Sequence, residues 1–101
     1  MPEVILLAGA ENDSLDIFAR LEARDADAAD AFHGRLDACL GPLSEHPESA
    51  PIFEGGTRRL VMRGYPFGIF FAVEGGRLMV QAILDLRQSP ESIRRRLGFE
   101  E

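Results

Sequence analysis

All eleven basic residues of this 101-residue chain are arginines; lysine is absent. They include Arg58, Arg59 and Arg63 in one short stretch, Arg87 alone, and Arg94, Arg95 and Arg96 in succession. A guanidinium presents a planar fork that matches the oxygens of carboxylates and phosphates. The chemistry open to these residues is therefore the recognition of acidic or phosphorylated groups. Groups able to move a proton near neutral pH are scarce: His33, His46, Cys39 and the only tyrosine, Tyr65. His33 has no Cys/His cluster at ligand spacing around it, so no metal site is assigned. A lone Cys39 excludes an internal disulfide and, on an apolar helical stripe, reads as an inert core residue. No catalytic residue and no cofactor are assigned.

The charge is unevenly spread. Residues 1–50 hold eleven acidic side chains and three arginines, or −8; residues 51–101 hold six and eight, or +2, which together give the net −6. An acidic chain gains little from the counterion release that drives nonspecific nucleic-acid binding. Hydrophobic residues make up 46%, ordinary for a folded globular protein. No apolar run approaches the ~20 residues of a membrane-spanning helix, and no basic residue precedes the short run Val4–Ala8. A cytoplasmic protein with one domain over residues 1–101 is expected.

The elements that must position these residues follow from periodicity. Glu3 to Ala8 predicts a first strand ended by Gly9, after which Asn12, Asp13 and Ser14 offer helix-capping side chains. Leu15, Phe18, Ala19 and Glu22 step at helical spacing, predicting a short helix to about Arg24. Asp25 or Asp27 caps a second helix, whose apolar stripe is Ala29, Phe32, Leu36, Cys39, Leu40 and Leu43. Gly41-Pro42 predicts a kink or an end near Leu40, and the tight connection makes the two helices an antiparallel hairpin.

His46 to Gly56 reads as a loop, and then the period changes to alternation. Thr57 to Arg63 is a predicted strand, with Arg59 and Arg63 on one face and Arg58 on the other. Gly64-Tyr65-Pro66 is a turn. Phe67 to Glu74 is nearly all apolar, as a central strand covered on both faces would be. Gly75-Gly76 is a two-residue hairpin signal, and Arg77 to Asp85 the last long strand. Ser89 caps a final helix with Pro90 at its first position. The fold class is α+β: an N-terminal strand and helical hairpin packed on a C-terminal antiparallel sheet, with a short C-terminal helix (β-α-α-β-β-β-α).

The strand region resembles a known family. Arg58-Arg59-Leu60-Val61-Met62-Arg63-Gly64-Tyr65-Pro66-Phe67-Gly68-Ile69-Phe70-Phe71-Ala72-Val73-Glu74 is similar to the core RRLxxxxYPYxIFYxVE of ParE and related RelE-superfamily toxins. Arg77 to Leu84 resembles the next strand of that family, and Asp85-Leu86-Arg87-Gln88-Ser89-Pro90-Glu91 stands where it often has HxRRDPE. The helical half matches more weakly. The resemblance implies a toxin of a type II toxin–antitoxin (plasmid stabilisation) pair, neutralised by a cognate antitoxin. It further implies one of two actions, binding of DNA gyrase in the ParE branch or cleavage of mRNA on the ribosome in the RelE branch.

Departures from the family pattern favour the first action. There is no lysine, Asp85 replaces the usual histidine, and no tyrosine follows Arg87. A general acid for RNA cleavage thus has no obvious donor. The leading reading is a non-enzymatic, protein-binding toxin; nucleic acid would be a partner only in the RelE-type alternative. A degenerate interaction module is the third reading, because toxins of this type are usually basic. A homodimer stays open, and no membrane partner is expected. The partner-binding candidates are Arg58, Arg59, Arg63, Tyr65 and Arg87. Their bland alternatives are strand-edge charge for the first three, a ring packed on the sheet for Tyr65, and a salt bridge to Asp85 or Glu91 for Arg87. Arg94, Arg95 and Arg96 span roughly 200° of a helix and cannot form one tight cluster.

Overall fold

A computed structural model of the chain describes residues 3–99. Strand β1 is Glu3–Leu6, followed by helices α1 (Ala8–Glu22) and α2 (Ala26–Glu45) and a 3-10 turn at Pro47–Ser49. Strands β2 (Ile52–Glu54), β3 (Thr57–Val61), β4 (Phe67–Glu74) and β5 (Arg77–Asp85) come next, then helix α3 (Pro90–Leu97). The five strands form one sheet in the order β1-β5-β4-β3-β2. The α+β order read from the sequence is the order of the molecule, with β2 added inside the predicted loop. The sheet is mixed, because β1 pairs with β5 in parallel while β2 to β5 form an antiparallel meander. A parallel partner needs a long crossover, and here the helical hairpin and the meander together supply it.

The first helix starts earlier than predicted. The Leu7 N–H donates to the Val80 carbonyl at 2.9 Å, ending the ladder with β5, and the Leu7 carbonyl accepts the Glu11 N–H at 2.9 Å. Gly9 therefore lies inside α1, and Asn12, Asp13 and Ser14 do not cap it; Leu7 occupies the N-cap position with no side-chain bond. The inward stripe rotates accordingly: Ala10 and Ile17 are buried and Leu21 packs against them, whereas Leu15 is 62% exposed. In α2 the predicted stripe is the buried one, and Asp25 is the cap, its Oδ1 accepting the Asp27 N–H at 3.0 Å.

The helix does not end near Leu40. It runs through Pro42 to Glu45, because burial of Leu43 and Ser44 outweighs the hydrogen bond that proline cannot donate. The Ser44 hydroxyl donates to the Gly41 carbonyl at 2.7 Å.

Two cores flank the sheet. The hairpin face buries Phe32, Leu36 and Leu43 against Met62, Ile69, Phe71, Leu78, Val80 and Ile83. The other face is smaller: Phe70, Ala82 and Leu84 under Ile93 of α3, with Phe53, Leu86 and Leu97 at its margin. A bulge makes this division possible. Phe70 pairs with Ala82 but Phe71 pairs with Val80, so Gln81 is an extra residue on β5. The slip turns Ile83 to the same side as Leu78 and Val80, and Leu84 to the opposite side. Phe32 and Leu36 thus share their core with Ile83 of the last strand, while Leu84 belongs to the opposite one. Gly75 and Gly76 both take positive φ, 57° and 74°, as the β4–β5 hairpin turn requires. No helix among the described residues is long and apolar enough to cross a membrane.

Candidate functional site

Strand β1 leaves the sheet at Leu6, while β5 continues to Asp85. Helix α1 swings alongside this unpaired stretch, and between the two lies an open cleft of about 410 Å³. Its apolar lining comes from Ile17 and Leu21 of α1, Phe67 at the start of β4, and Ile83 and Leu84 of β5. Arg20 projects from the same helix and Arg24 from the turn just beyond it, and Arg87 and Gln88 close the far side. Helical spacing explains the gathering, since residues 17, 20 and 21 share one face of α1.

A bare strand edge exposes unpaired N–H and C=O groups. Here the Asp13 carboxylate covers one of them: its Oδ2 accepts the Ile83 N–H at 3.0 Å. The same oxygen accepts Arg96 Nη2 at 2.7 Å, and Arg96 also donates to the Gly9 carbonyl at 3.1 Å. Arg96 thus ties α3 on one face of the sheet to α1 on the other. Gly9 leaves room for this contact, because a Cβ at that position would stand 3.1 Å from the Arg96 guanidinium, which would have to shift slightly. On the other side of α3, Arg94 makes a two-pronged bond to Glu54 at 2.8 and 3.0 Å and donates to the Phe99 carbonyl at 2.7 Å. The Arg94 fork holds the Glu54 carboxyl below its ordinary range.

Arg87 sits at the cleft but is already engaged. Its Nε and Nη2 bind the Asp85 carboxylate at 3.0 and 2.6 Å, and its own N–H donates to the same group at 2.8 Å. The guanidinium, and then the backbone N–H, hold the Asp85 carboxyl down at about 2. Asp85 in turn raises Arg87. The pair stands in place of the histidine and arginine of the pattern noted above, and it leaves no titrating group near neutrality at this position.

The other candidates are dispersed. Arg58 points to the hairpin face and donates to the Ala50 carbonyl at 2.6 Å. Arg59 shares a rung with Phe70 on the α3 face and lies 5.8 Å over the Phe53 ring, its buried Nε without a partner. Arg63 is exposed in the turn beyond β3, so it does not continue the face of Arg59. Tyr65 packs edge-on against Phe32 at 5.7 Å and stacks with Phe67 at 6.2 Å. It therefore backs an apolar wall of the cleft. The structure brings Arg87 to the cleft and leaves Arg58, Arg59 and Arg63 elsewhere.

Sequence reasoning missed Arg20, Arg24, Asp13 and Arg96. The signal for Arg20 was its place beside Leu21 on the inward side of α1, but it was hidden by the wrong rotation assigned to that helix. Neither histidine lines the cleft: His33 lies against Phe18 and near Asp37, and His46 near Glu48. Burial pushes the Cys39 thiol up, with Arg35 opposing. Among the described residues no group of three His, Cys, Asp or Glu side chains could hold a metal ion.

Comparison with known proteins agrees with this architecture. No curated protein sequence matches the chain significantly. Among solved structures, one described as the chromosomal ParDE TA system from P. aeruginosa is similar at a TM-score of 0.72 and 20% identity, covering 82% of this chain and 94% of that one. At that identity the likeness shows the fold alone. Residues 4–90 match the family described as the ParE toxin of the type II toxin–antitoxin system parDE. With the match running from β1 to the first residue of α3, the chain belongs to the ParE toxin family.

Proposed function

We propose that this protein is the toxin half of a type II pair. It acts in the cytoplasm by binding a protein target such as DNA gyrase, without cutting RNA, and a cognate antitoxin silences it. One observation carries the choice between binding and cleavage. Arg87, which the family pattern places at the end of the last strand, is bound on both prongs by Asp85. No histidine or tyrosine stands beside it to donate a proton. Cleavage of RNA needs a positioned acid and base as well as cations for the developing charge, and the carboxylate beside Arg87, Asp85, is held ionised by that arginine and is no proton donor near neutrality. Support for an antitoxin partner comes from the family itself and from the similar chain belonging to a ParDE system.

The test has two arms. Purified protein should inhibit supercoiling by DNA gyrase, and the inhibition should disappear on adding the antitoxin. Primer extension on translating ribosomes should show no new cleavage. Codon-specific cuts abolished by Arg87→Ala would replace this reading with the nuclease one.

A further inference from the structure

We infer that the outward face of the helical hairpin, with Leu15 and Phe18 as apolar anchors among carboxylates, binds a basic amphipathic helix of the toxin's protein target. This rests on the reading of the chain as a protein-binding toxin and adds the surface used and the chemistry it meets. Leu15, Phe18, Ala19 and Glu22 form a stripe at helical spacing, yet α1 buries Ala10 and Ile17 instead. Leu15 and Ala19 are left exposed to solvent. Phe18 is half-buried, its ring edge-on to His33 of α2 with centroids 6.5 Å apart.

Helical spacing extends the patch over both helices. Positions 11, 15, 18, 19 and 22 share one face of α1, and positions 30, 33, 34 and 37 share one face of α2. The two faces meet where Phe18 lies against His33. At Gly34 the surface is open, since an added Cβ would find no atom within 4 Å. Glu11, Glu22, Asp30 and Asp37 bound the patch, and all four are exposed. Asp37 lies 3.7 Å from His33, whereas Glu11, Glu22 and Asp30 make no ion pair among the described residues. The arginines of the hairpin lie elsewhere. Arg20 and Arg24 line the cleft, and Arg35 falls about 100° round the helix from Gly34. Residues 8–45 hold nine acidic side chains against three arginines, or −6.

Apolar anchors beside unpaired carboxylates select a partner whose apolar residues are flanked by lysine or arginine. From Glu11 to Glu22 the helix rises about 16 Å, the length of three turns of a facing helix. A nucleic acid or an anionic lipid surface would be repelled. A second copy of the chain would set its own carboxylates against these four. Charge complementarity of this kind acts mainly on association rate and weakens with salt. Burial of Leu15 and Phe18 supplies the contact that salt does not screen.

The experiment uses the full chain, purified DNA gyrase and, as a control for folding, the antitoxin, taken as the neighbouring gene product that restores growth on co-expression. Gyrase binding and supercoiling inhibition are measured for wild type, L15Q and E22K/D37K. Leu15 is exposed, glutamine is a good helix former, and Glu22 lies in the last turn of α1, where a cation is favoured. Both variants should therefore keep the wild-type melting temperature and antitoxin affinity. We expect gyrase binding weakened about tenfold or more in each, with the E22K/D37K defect shrinking at high salt and the L15Q defect persisting.

Wild-type binding by either variant overturns the surface and leaves the protein-binding reading intact. Antitoxin affinity lost in step with gyrase binding assigns the face to the antitoxin and also overturns the proposal. If wild type leaves gyrase untouched, that target fails, and growth inhibition by the expressed chain decides. Toxicity lost in both variants, with antitoxin affinity kept, supports the face; toxicity kept by either overturns it. A wild-type chain that is not toxic sinks both the surface and the toxin reading.

Discussion

The two faces of the sheet are built on different principles. On the hairpin face, two helices lay long apolar stripes over the strands, and Phe32, Met62, Ile69, Phe71, Leu78 and Val80 are fully buried. On the other face an eight-residue helix contributes little more than Ile93 and Leu97, and arginines at positions 94 and 96 hold it to Glu54 and Asp13. The first face is held by area removed from water, which is non-directional and is not screened by salt. The second depends more on directed contacts between partly exposed charges, each weak alone. Apolar packing thus carries the hairpin face, while polar clamps set where α3 lies and what borders the cleft.

The largest expected effect tests the first face. Phe32→Ala should cost about 3–5 kcal/mol, a large share of a small domain's stability, read as a lower urea midpoint. An unchanged midpoint would mean that α2 does not anchor the core. Ile93→Ala probes the thinner face, where the layer above the cavity can settle. About 2–3 kcal/mol is expected, near the low end for such truncations. A loss equal to that of Phe32→Ala would erase the contrast between the faces.

Smaller again is the clamp at the sheet edge. Asp13→Ala should cost about 1–3 kcal/mol by stranding the Ile83 N–H, with faster hydrogen exchange at that amide. Asp13→Asn keeps an acceptor and should recover part of the loss. Equal losses for the two variants would show that the charge, not the hydrogen bond, matters.

The smallest effect concerns acid. Asp85 has its carboxyl lowered from 3.8 to about 2, chiefly by its hydrogen bonds from Arg87. A lowered native value means the unfolded chain binds the proton more readily, so the pair stabilises fully above about pH 4. That contribution is lost as pH falls through about 2. The Arg87 side chain is 75% exposed, and solvent screening keeps the contribution small. Asp85→Asn should flatten the stability curve slightly between pH 4 and 2 and change nothing at pH 7 beyond the lost pair. A steeper acid limb in the variant would contradict the assignment.

Much of the fold was legible because it rests on local patterns. The stripe from Ala29 to Leu43 fixes the inward face of α2, the apolar run Phe67–Glu74 is the buried central strand, and Gly75-Gly76 makes the hairpin. The motif around Tyr65 and Arg87 led to the family whose match covers residues 4–90. The errors arose where long-range contacts override local signals. Asp13 resembles a cap by type, but it lies in the second turn of α1 and bonds an amide 70 residues away. Pro42 resembles a helix end, but the burial of Leu43 carries the helix past it.

Residue type and spacing, on their own, determined the order of the main elements, the inward stripe of α2 and the kinship of the chain, because each depends on neighbours within a turn, a strand or a contiguous motif. Tertiary structure alone decided the cleft. The Gln81 bulge chose which side Ile83 and Leu84 face, the packing of α1 beside β5 brought Arg20 to the cleft, and Arg96 crossed the sheet edge to Asp13. These features join residues tens of positions apart, and no local periodicity encodes a distance that exists only once the sheet has formed.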